Sequence, residues 1–141
     1  MEGNYLYKDL SYRIIGICME IHREYKNGHN ERIYHKVLEE KLKINKINFI
    51  SKQKIFVYSK DTGAKIGSYE PDFVVDDKII LELKVKPINL NQFEIQLLEY
   101  LKTSKYEVGY LMNFGQPSLY FRRLIYTNDK KPYIKSIKKS V

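Results

Sequence analysis

Three charged residues lie beside or within the apolar runs of residues 71–84, PDFVVDDKIILELK: Asp72, Glu82 and Lys84. If these runs are buried strands, each charge needs a partner. Residues two apart in a strand share a face, so Glu82 and Lys84 point the same way and the apolar residues around them point the other way. Two carboxylates that face one another repel unless a cation lies between them. Hard oxygen ligands beside an ammonium group indicate Mg²⁺ or Mn²⁺, because zinc prefers His and Cys.

The turn at 76–78, DDK, decides whether the two carboxylates face each other. A three-residue loop pairs Phe73 with Leu81 and places Asp72 opposite Glu82, so that both acids and the lysine share one face. A two-residue turn would direct Asp72 away from Glu82. Both registers leave each face partly apolar, and the sequence leaves this choice open.

Two predicted helices carry further residues that are expected to converge on this place. Glu31 lies on the apolar side of its helix, which predicts an inward-facing acid. Gln96 and Tyr100 are four residues apart on another helix, and they flank its apolar ridge. All three side chains are therefore candidates for one site on the sheet.

Apolar residues at three- and four-residue steps predict the helices, and runs of β-branched and aromatic residues predict the strands. The expected class is α/β (α+β), with a central mixed sheet flanked by helices in the order ααββββαββ. The expected elements are helices at about 9–25, 31–43 and from Asn89 or Asn91 to Ser104, hairpins at 54–70 and 72–85, and closing strands at 106–114 and 118–127.

Length and charge limit the function classes. The 141 residues fit a single domain, expected at 1–128, followed by a basic, flexible tail at 129–141. The net charge of +8 favours polyanions such as nucleic acid or an anionic membrane surface. No apolar run approaches the roughly 20 residues that cross a bilayer. A single cysteine excludes an internal disulfide framework, and the N-terminus lacks an apolar signal core, so we expect a cytoplasmic protein without a membrane partner.

Three motifs, taken together and in order, resemble a known nuclease superfamily. PD at 71–72 and ELK at 82–84 resemble the PD-(D/E)xK nuclease core. QLLEY at 96–100 resembles the QxxxY helix motif of one exonuclease branch of that superfamily. GHNERIY at 28–34 resembles the namesake motif of the GxxExxY protein family, a PD-(D/E)xK-like group, and NFG at 113–115 with Arg123 also matches that family. The resemblance covers about residues 10–126.

The resemblance implies a restriction-endonuclease-like fold and a metal-dependent nuclease that hydrolyses nucleic acid, with DNA as the expected substrate. Asp72, Glu82 and Glu31, joined by the Leu83 backbone carbonyl, would hold one or two Mg²⁺ or Mn²⁺ ions. Lys84 would position or activate the attacking water and stabilise the charge that grows on the phosphate.

The remaining motif residues take supporting roles under the same resemblance. Gln96 would orient water or backbone, and Tyr100 and Tyr34 would support the site. Arg122 and Arg123 alternate on the last strand, so one of them is expected to face nucleic acid, although an ordinary solvated strand face explains them equally well.

Two other function classes are compatible with the basic composition. One is a catalytically silent nucleic-acid-binding module, and the other is a protein-interaction subunit of a repair or mobile-element system. The intact set of Asp, Glu, Lys and Gln residues favours the nuclease over the silent module, because a module released from catalysis has no reason to keep desolvated carboxylates facing each other. A homodimer is compatible with all three classes.

Overall fold

The computed structural model describes residues 5–133 and has the α+β class that the sequence predicts, with a central mixed sheet flanked by helices. Within the described residues, no helix is long and apolar enough to cross a membrane. The helices and strands are α1 (Lys8–Tyr25), α2 (Glu31–Ile44), β1 (Phe49–Ser51), β2 (Ile55–Tyr58), β3 (Lys65–Tyr69), β4 (Phe73–Val75), β5 (Ile79–Lys84), α3 (Asn91–Lys102), β6 (Val108–Asn113) and β7 (Tyr120–Ile125).

Five strands form the central sheet in the order β1-β4-β5-β6-β7. β5 and β6 are parallel, and every other neighbouring pair is antiparallel. A parallel pair needs a crossover connection, which α3 supplies between β5 and β6. β2 and β3 form a separate two-stranded hairpin that leaves the sheet between β1 and β4.

The β4–β5 hairpin has the three-residue loop that sets the register of the acidic residues. Phe73 pairs with Leu81 and Val75 pairs with Ile79, so residues 76–78 form the loop. Both loop aspartates have positive φ, 52° and 51°, a region that Asp tolerates better than most residues. The two-residue alternative is therefore wrong, and Asp72 lies across from Glu82.

The sheet separates two apolar cores. α1 and α2 cover one face, where their buried stripes meet Phe73, Leu81 and Leu83. α3 and the β2–β3 hairpin cover the other face, where they meet Val74 and Ile80. Because side chains alternate along β5, Glu82 and Lys84 lie on the face that α3 covers.

The strand β1 is absent from the sequence-based order ααββββαββ, which the structure corrects to ααβββββαββ. β1 has only three residues, too few to show an alternating pattern, and its partner β4 lies more than twenty residues later, with Phe49 opposite Val75 and Ser51 opposite Phe73. Lys52 then adopts a φ of 59° and ends the strand. Tertiary pairing rather than local propensity creates β1.

The segment 129–133 also departs from the expected flexible tail. Lys131 is only 2% exposed, and its ammonium donates to the carbonyls of Ser104 at 2.8 Å and Tyr106 at 2.9 Å. Tyr133 is buried and donates to the carbonyl of Lys102. These residues pack on the connection between α3 and β6. The rest of the expected tail, 134–141, lies outside the described residues.

Candidate active site

Asp72 is held in a fixed position immediately before β4. It is only 5% exposed, and its Oδ2 accepts the backbone N–H of Leu83 at 2.7 Å. Its Oδ1 accepts the ammonium of Lys52 at 2.9 Å. The backbone N–H of Lys52 also donates to the Asp72 carbonyl at 3.1 Å, which fixes the two residues to each other. A buried carboxylate with a charged partner and a backbone donor has a defined geometry and little freedom to rotate.

Glu82 lies next to this carboxylate in an environment that opposes its ionisation. Burial raises the pKa of Glu82 from 4.5 to about 8, and the negative charge of Asp72 and a hydrogen bond to it act in the same direction, whereas Lys84 opposes them. At neutral pH the Glu82 carboxyl is therefore mostly protonated unless a cation stabilises its charge. Such a perturbed acid beside a second acid is typical of a functional site.

Lys84 shares the face of Glu82, as the sequence predicts. Its side chain is half-buried, and its ammonium lies 4.3 Å from the centroid of the Phe93 ring of α3. A cation over an aromatic face is attracted by the ring and is held without an ion pair. The charge of Lys84 remains directed at the same region as the two acids, because it lowers the pKa of Glu82 and of Glu31.

The NFG segment at 113–115 holds the chain that follows Lys84. The Asn113 side chain accepts the N–H of Lys86 at 2.9 Å and donates to the carbonyl of Lys86 at 3.1 Å. A Cβ added at Gly115 would lie 2.4 Å from the Lys86 nitrogen, so the backbone there approaches too closely for any side chain. The motif therefore fixes the end of β5 and with it the position of Lys84.

Glu31 lies at the rim of the site and not inside it. The prediction of an inward-facing acid is wrong in this respect, because Glu31 is exposed at the first position of α2, where the helix turns its side chain toward an open cavity. This cavity, of about 380 Å³, is also lined by Lys52 and His35. Partial burial raises the pKa of Glu31, with Asp72 acting in the same direction and Lys84 and Lys52 against it. Glu31 is thus within electrostatic range of Asp72.

Gln96 and Tyr100 have different environments on α3. Gln96 is exposed on the helix surface. Tyr100 stacks on Tyr69, with ring centroids 3.4 Å apart and an angle of 10° between the planes. The Tyr69 hydroxyl is buried, has no hydrogen-bond partner in the described chain, and has its pKa raised by burial and then by the charge of Glu82. Tyr100 therefore packs on a tyrosine that lies within electrostatic range of Glu82.

Arg122 and Arg123 point to opposite faces of the sheet. Arg123 donates to the carbonyl of Leu6 at 3.2 Å and lies 4.8 Å from the ring centroid of Tyr5, on the side covered by α1. Arg122 is on the α3 side, and its Nε lies 3.4 Å from a Glu94 oxygen. Only Arg122 shares a face with Glu82. The contact with nucleic acid expected of one of these arginines stays a prediction.

Residues 8–124 match the model of the PD-(D/E)XK nuclease superfamily, a stretch that contains the acid pair, Lys84 and every helix and strand described above except the last residue of β7. The chain belongs to the PD-(D/E)XK nuclease superfamily. Nucleases of this superfamily generally use divalent metals such as Mg²⁺.

A solved structure described as the crystal structure of SSO0001 has a similar fold, with a TM-score of 0.53 and 21% sequence identity. The similarity covers 77% of this chain and 56% of that one, so this chain spans little more than half of its length. At this identity the likeness concerns the fold alone. No curated protein matches the chain.

Asp72 and Glu82 suit a PD-(D/E)XK metal site by their chemistry, because they supply adjacent hard oxygen donors whose repulsion a divalent cation would relieve. In residues 5–133, no three side chains of His, Cys, Asp or Glu lie close enough to form a metal-binding group. Glu31 therefore does not complete a three-carboxylate cluster in this conformation. Lys52 supplies the positive charge beside Asp72 instead.

The G-x-x-E-x-x-Y segment of this superfamily member builds the connection between α1 and α2. Asn30 caps α2, since its side chain accepts the N–H of Ile33 at 3.1 Å. The Tyr34 hydroxyl donates to the carbonyl of Lys26, and its ring stacks on Phe114 with centroids 4.6 Å apart. Tyr34 thus joins the end of α1 to the first turn of α2, the turn that carries Glu31. Its supporting role in the site stays a prediction.

Lys52 and Tyr69 are the two site residues that the sequence-based argument missed. Tyr69 lies three residues before Asp72, and its closeness to the PD motif was the available signal. Lys52 lies 20 residues before Asp72 and matches none of the motifs. Its role depends on the pairing of β1 with β4, which no local pattern predicts.

Proposed function

We propose that this chain is a GxxExxY-type nuclease that hydrolyses phosphodiester bonds in DNA with the help of Mg²⁺ or Mn²⁺. The observation that carries the proposal is the pairing of buried Asp72 with half-buried Glu82. Burial and the charge of Asp72 raise the pKa of Glu82 to about 8, and the charge of Lys84 acts against them. The motif at 28–34 supports the GxxExxY assignment, and the excess of basic residues supports a polyanionic substrate.

Asp72 and Glu82 would hold the metal, with Glu31 approaching from the rim and the Leu83 carbonyl as a further oxygen ligand. A bound divalent metal lowers the pKa of its water and polarises a phosphate oxygen, which contributes several kcal/mol to lowering the barrier. The Leu83 N–H keeps the Asp72 carboxylate in one orientation, since it donates at 2.7 Å. This leaves the other oxygen, which Lys52 now contacts, as the one available to a cation.

Lys84 would act on the substrate and not on the metal. Its ammonium is placed over Phe93 without an ion-pair partner among the described residues, so its charge is available to a phosphate. We assign it the stabilisation of negative charge in the transition state and the orientation of the attacking water. Gln96 would orient water or backbone at the helix surface, and Tyr100 would support the site through Tyr69.

The experiment is incubation of the protein with labelled single-stranded, double-stranded and branched DNA in Mg²⁺, Mn²⁺ or EDTA. Wild type is expected to cut at least one substrate in the metals and none in EDTA. Asp72→Asn and Glu82→Gln should abolish cleavage, while Asp76→Asn, which changes a half-exposed acid in the loop of the same hairpin, should retain it. Tight DNA binding without cleavage by wild type in either metal would favour the silent binding module and reject the nuclease.

A further inference from the structure

A second cavity lies between β2 and the connection from α3 to β6, and none of the proposed catalytic residues lines it. Its volume is about 210 Å³. The lining residues that matter here are Gln53, Lys54, Phe56, Tyr58, Lys105 and Tyr106. We propose that this cavity, named here the hairpin pocket, binds one unpaired base of single-stranded DNA. The proposal rests on the proposed function and deepens it by specifying a substrate class.

Three aromatic residues line the hairpin pocket: Phe56, Tyr58 and Tyr106. Tyr58 and Tyr106 are buried, whereas Phe56 is 42% exposed although it is a large apolar side chain. The Lys65 ammonium lies 4.3 Å from the Phe56 ring centroid. An exposed ring beside lysines is the arrangement that stacks bases of single strands, because every base has a π-face and every linkage carries a negative charge.

Gln53 supplies an independent observation that points to a ligand. Its Oε1 atom is buried and has no hydrogen-bond partner within residues 5–133. A buried carbonyl oxygen without a donor costs free energy, and native structures rarely leave one unpaired. The amino group of an unpaired base would provide the missing donor, and side-chain amides commonly read bases in this way.

The lysines around the hairpin pocket suit the phosphates on either side of a bound base. Lys54 and Lys105 are exposed at its edge, and Lys105 lies 3.6 Å from Asp77, a weak surface pair that leaves its charge partly available. Lys52, the partner of Asp72, lies two residues before Lys54, so their Cα atoms are at most about 7.6 Å apart. A single strand that follows the hairpin therefore runs from the acid pair toward the pocket.

Duplex DNA does not meet these conditions. A cavity of about 210 Å³ holds one base, and the edge that Gln53 would read is occupied by Watson–Crick pairing in a duplex. The hairpin pocket therefore favours a substrate with an unpaired segment near the cleavage point, such as a single strand, an overhang or a branch.

The test measures the binding of fluorescently labelled oligonucleotides in EDTA, so that affinity is read without cleavage. Phe56→Ala is expected to weaken binding of single-stranded DNA about tenfold, a typical effect of losing one stacked base, and to change duplex binding much less. Gln53→Leu should weaken single-strand binding and reduce the difference in affinity between oligo-dA, oligo-dC and oligo-dT. Lys54→Ala should reduce the salt slope by about 0.7, the value for one phosphate of a single strand.

Ile66→Ala and Lys60→Ala are the matched controls, because both change exposed residues of the same hairpin that do not line the pocket. They should bind single strands as wild type does. The proposal would be overturned if folded Phe56→Ala and Gln53→Leu bound single strands with wild-type affinity. It would also be overturned if these variants lost as much affinity for duplex DNA as for single strands. A third contradicting outcome is that the protein binds single-stranded RNA more tightly than single-stranded DNA and that Phe56→Ala weakens the binding of both.

The two proposals fail in different ways. If wild type cuts DNA in Mn²⁺ while the pocket variants bind normally, the hairpin pocket alone is wrong. If wild type neither binds nor cuts any DNA, the proposed function is wrong and the pocket proposal falls with it.

Discussion

The Lys52 ammonium donates to the Asp72 carboxylate at 2.9 Å, although the two residues lie 20 positions apart, one before and one after the β2–β3 hairpin. Lys52 is 56% exposed and Asp72 is 7% exposed at the side-chain level, so one partner is in water while the other is in the protein. The pair stabilises the carboxylate that is proposed to bind a divalent cation, so Lys52 and the metal would compete for it.

We expect Lys52→Met to lower the free energy of unfolding of the metal-free protein by about 1 kcal/mol, because a half-exposed pair is worth little more than a surface one. The same variant should gain more stability from Mn²⁺ than wild type, since the competing ammonium is gone. Thermal melts in EDTA and across a Mn²⁺ titration measure both effects. Lys54→Met, an exposed neighbour, is the control; an unchanged Mn²⁺ response in Lys52→Met would contradict the competition.

The pKa of Glu82 makes the stability of the metal-free protein depend on pH. Its pKa is about 8 in the folded protein against an ordinary 4.5, so the folded state binds the proton more tightly than the unfolded state. The stability that this proton provides is complete below about pH 4.5 and is lost as the pH rises toward 8, with a slope of at most about 1.4 kcal/mol per unit.

Glu82→Gln should remove this pH dependence, because glutamine keeps the shape of the neutral acid and does not titrate. Urea unfolding in EDTA between pH 5 and pH 9 compares the two proteins. Their stability difference should grow in favour of the variant as the pH rises, and parallel curves would show that Glu82 has an ordinary pKa.

Lys84→Met should separate metal binding from catalysis. The variant should retain the Mn²⁺-induced rise in melting temperature, because it keeps both carboxylates, but its cleavage rate should fall by about 10² to 10³ through loss of transition-state charge stabilisation. Lys86→Met, two residues later and exposed, should cut at close to the wild-type rate. A Lys84→Met enzyme of normal rate would remove this lysine from the proposed catalytic set.

Gly115→Ala tests whether the NFG segment positions the end of β5. The added Cβ would lie within 2.7 Å of three backbone atoms of residues 85 and 86, so the chain must shift, at an expected cost of about 1 to 3 kcal/mol in the free energy of unfolding. Gly28→Ala has no heavy atom within 4 Å of the added carbon and serves as the control. Chemical denaturation measures the free energy of unfolding of both variants. Equal values would show that the NFG segment accommodates the added Cβ without loss of stability.

Local patterns were sufficient for most of the secondary structure and for the identity of the acid pair. α1, α2 and α3 begin and end within about two residues of their predicted limits, because their apolar stripes and the Asn30 cap are properties of neighbouring residues. The alternation along β5 likewise placed Glu82 and Lys84 on one face, since the strand period is fixed by backbone geometry.

Only the tertiary structure decided the register, the rim position of Glu31 and the partners of Asp72. The sequence allowed two loops at 76–78, and the choice fell to the pairing of Phe73 with Leu81, which buries both strands against α1 and α2. Glu31 is the first residue of its helix, where the angle of the helix on the sheet, and not the apolar stripe, determines what its side chain faces. Lys52 reaches Asp72 because β1 pairs with β4, a contact between distant segments that burial of the whole sheet stabilises and that no short stretch of sequence encodes.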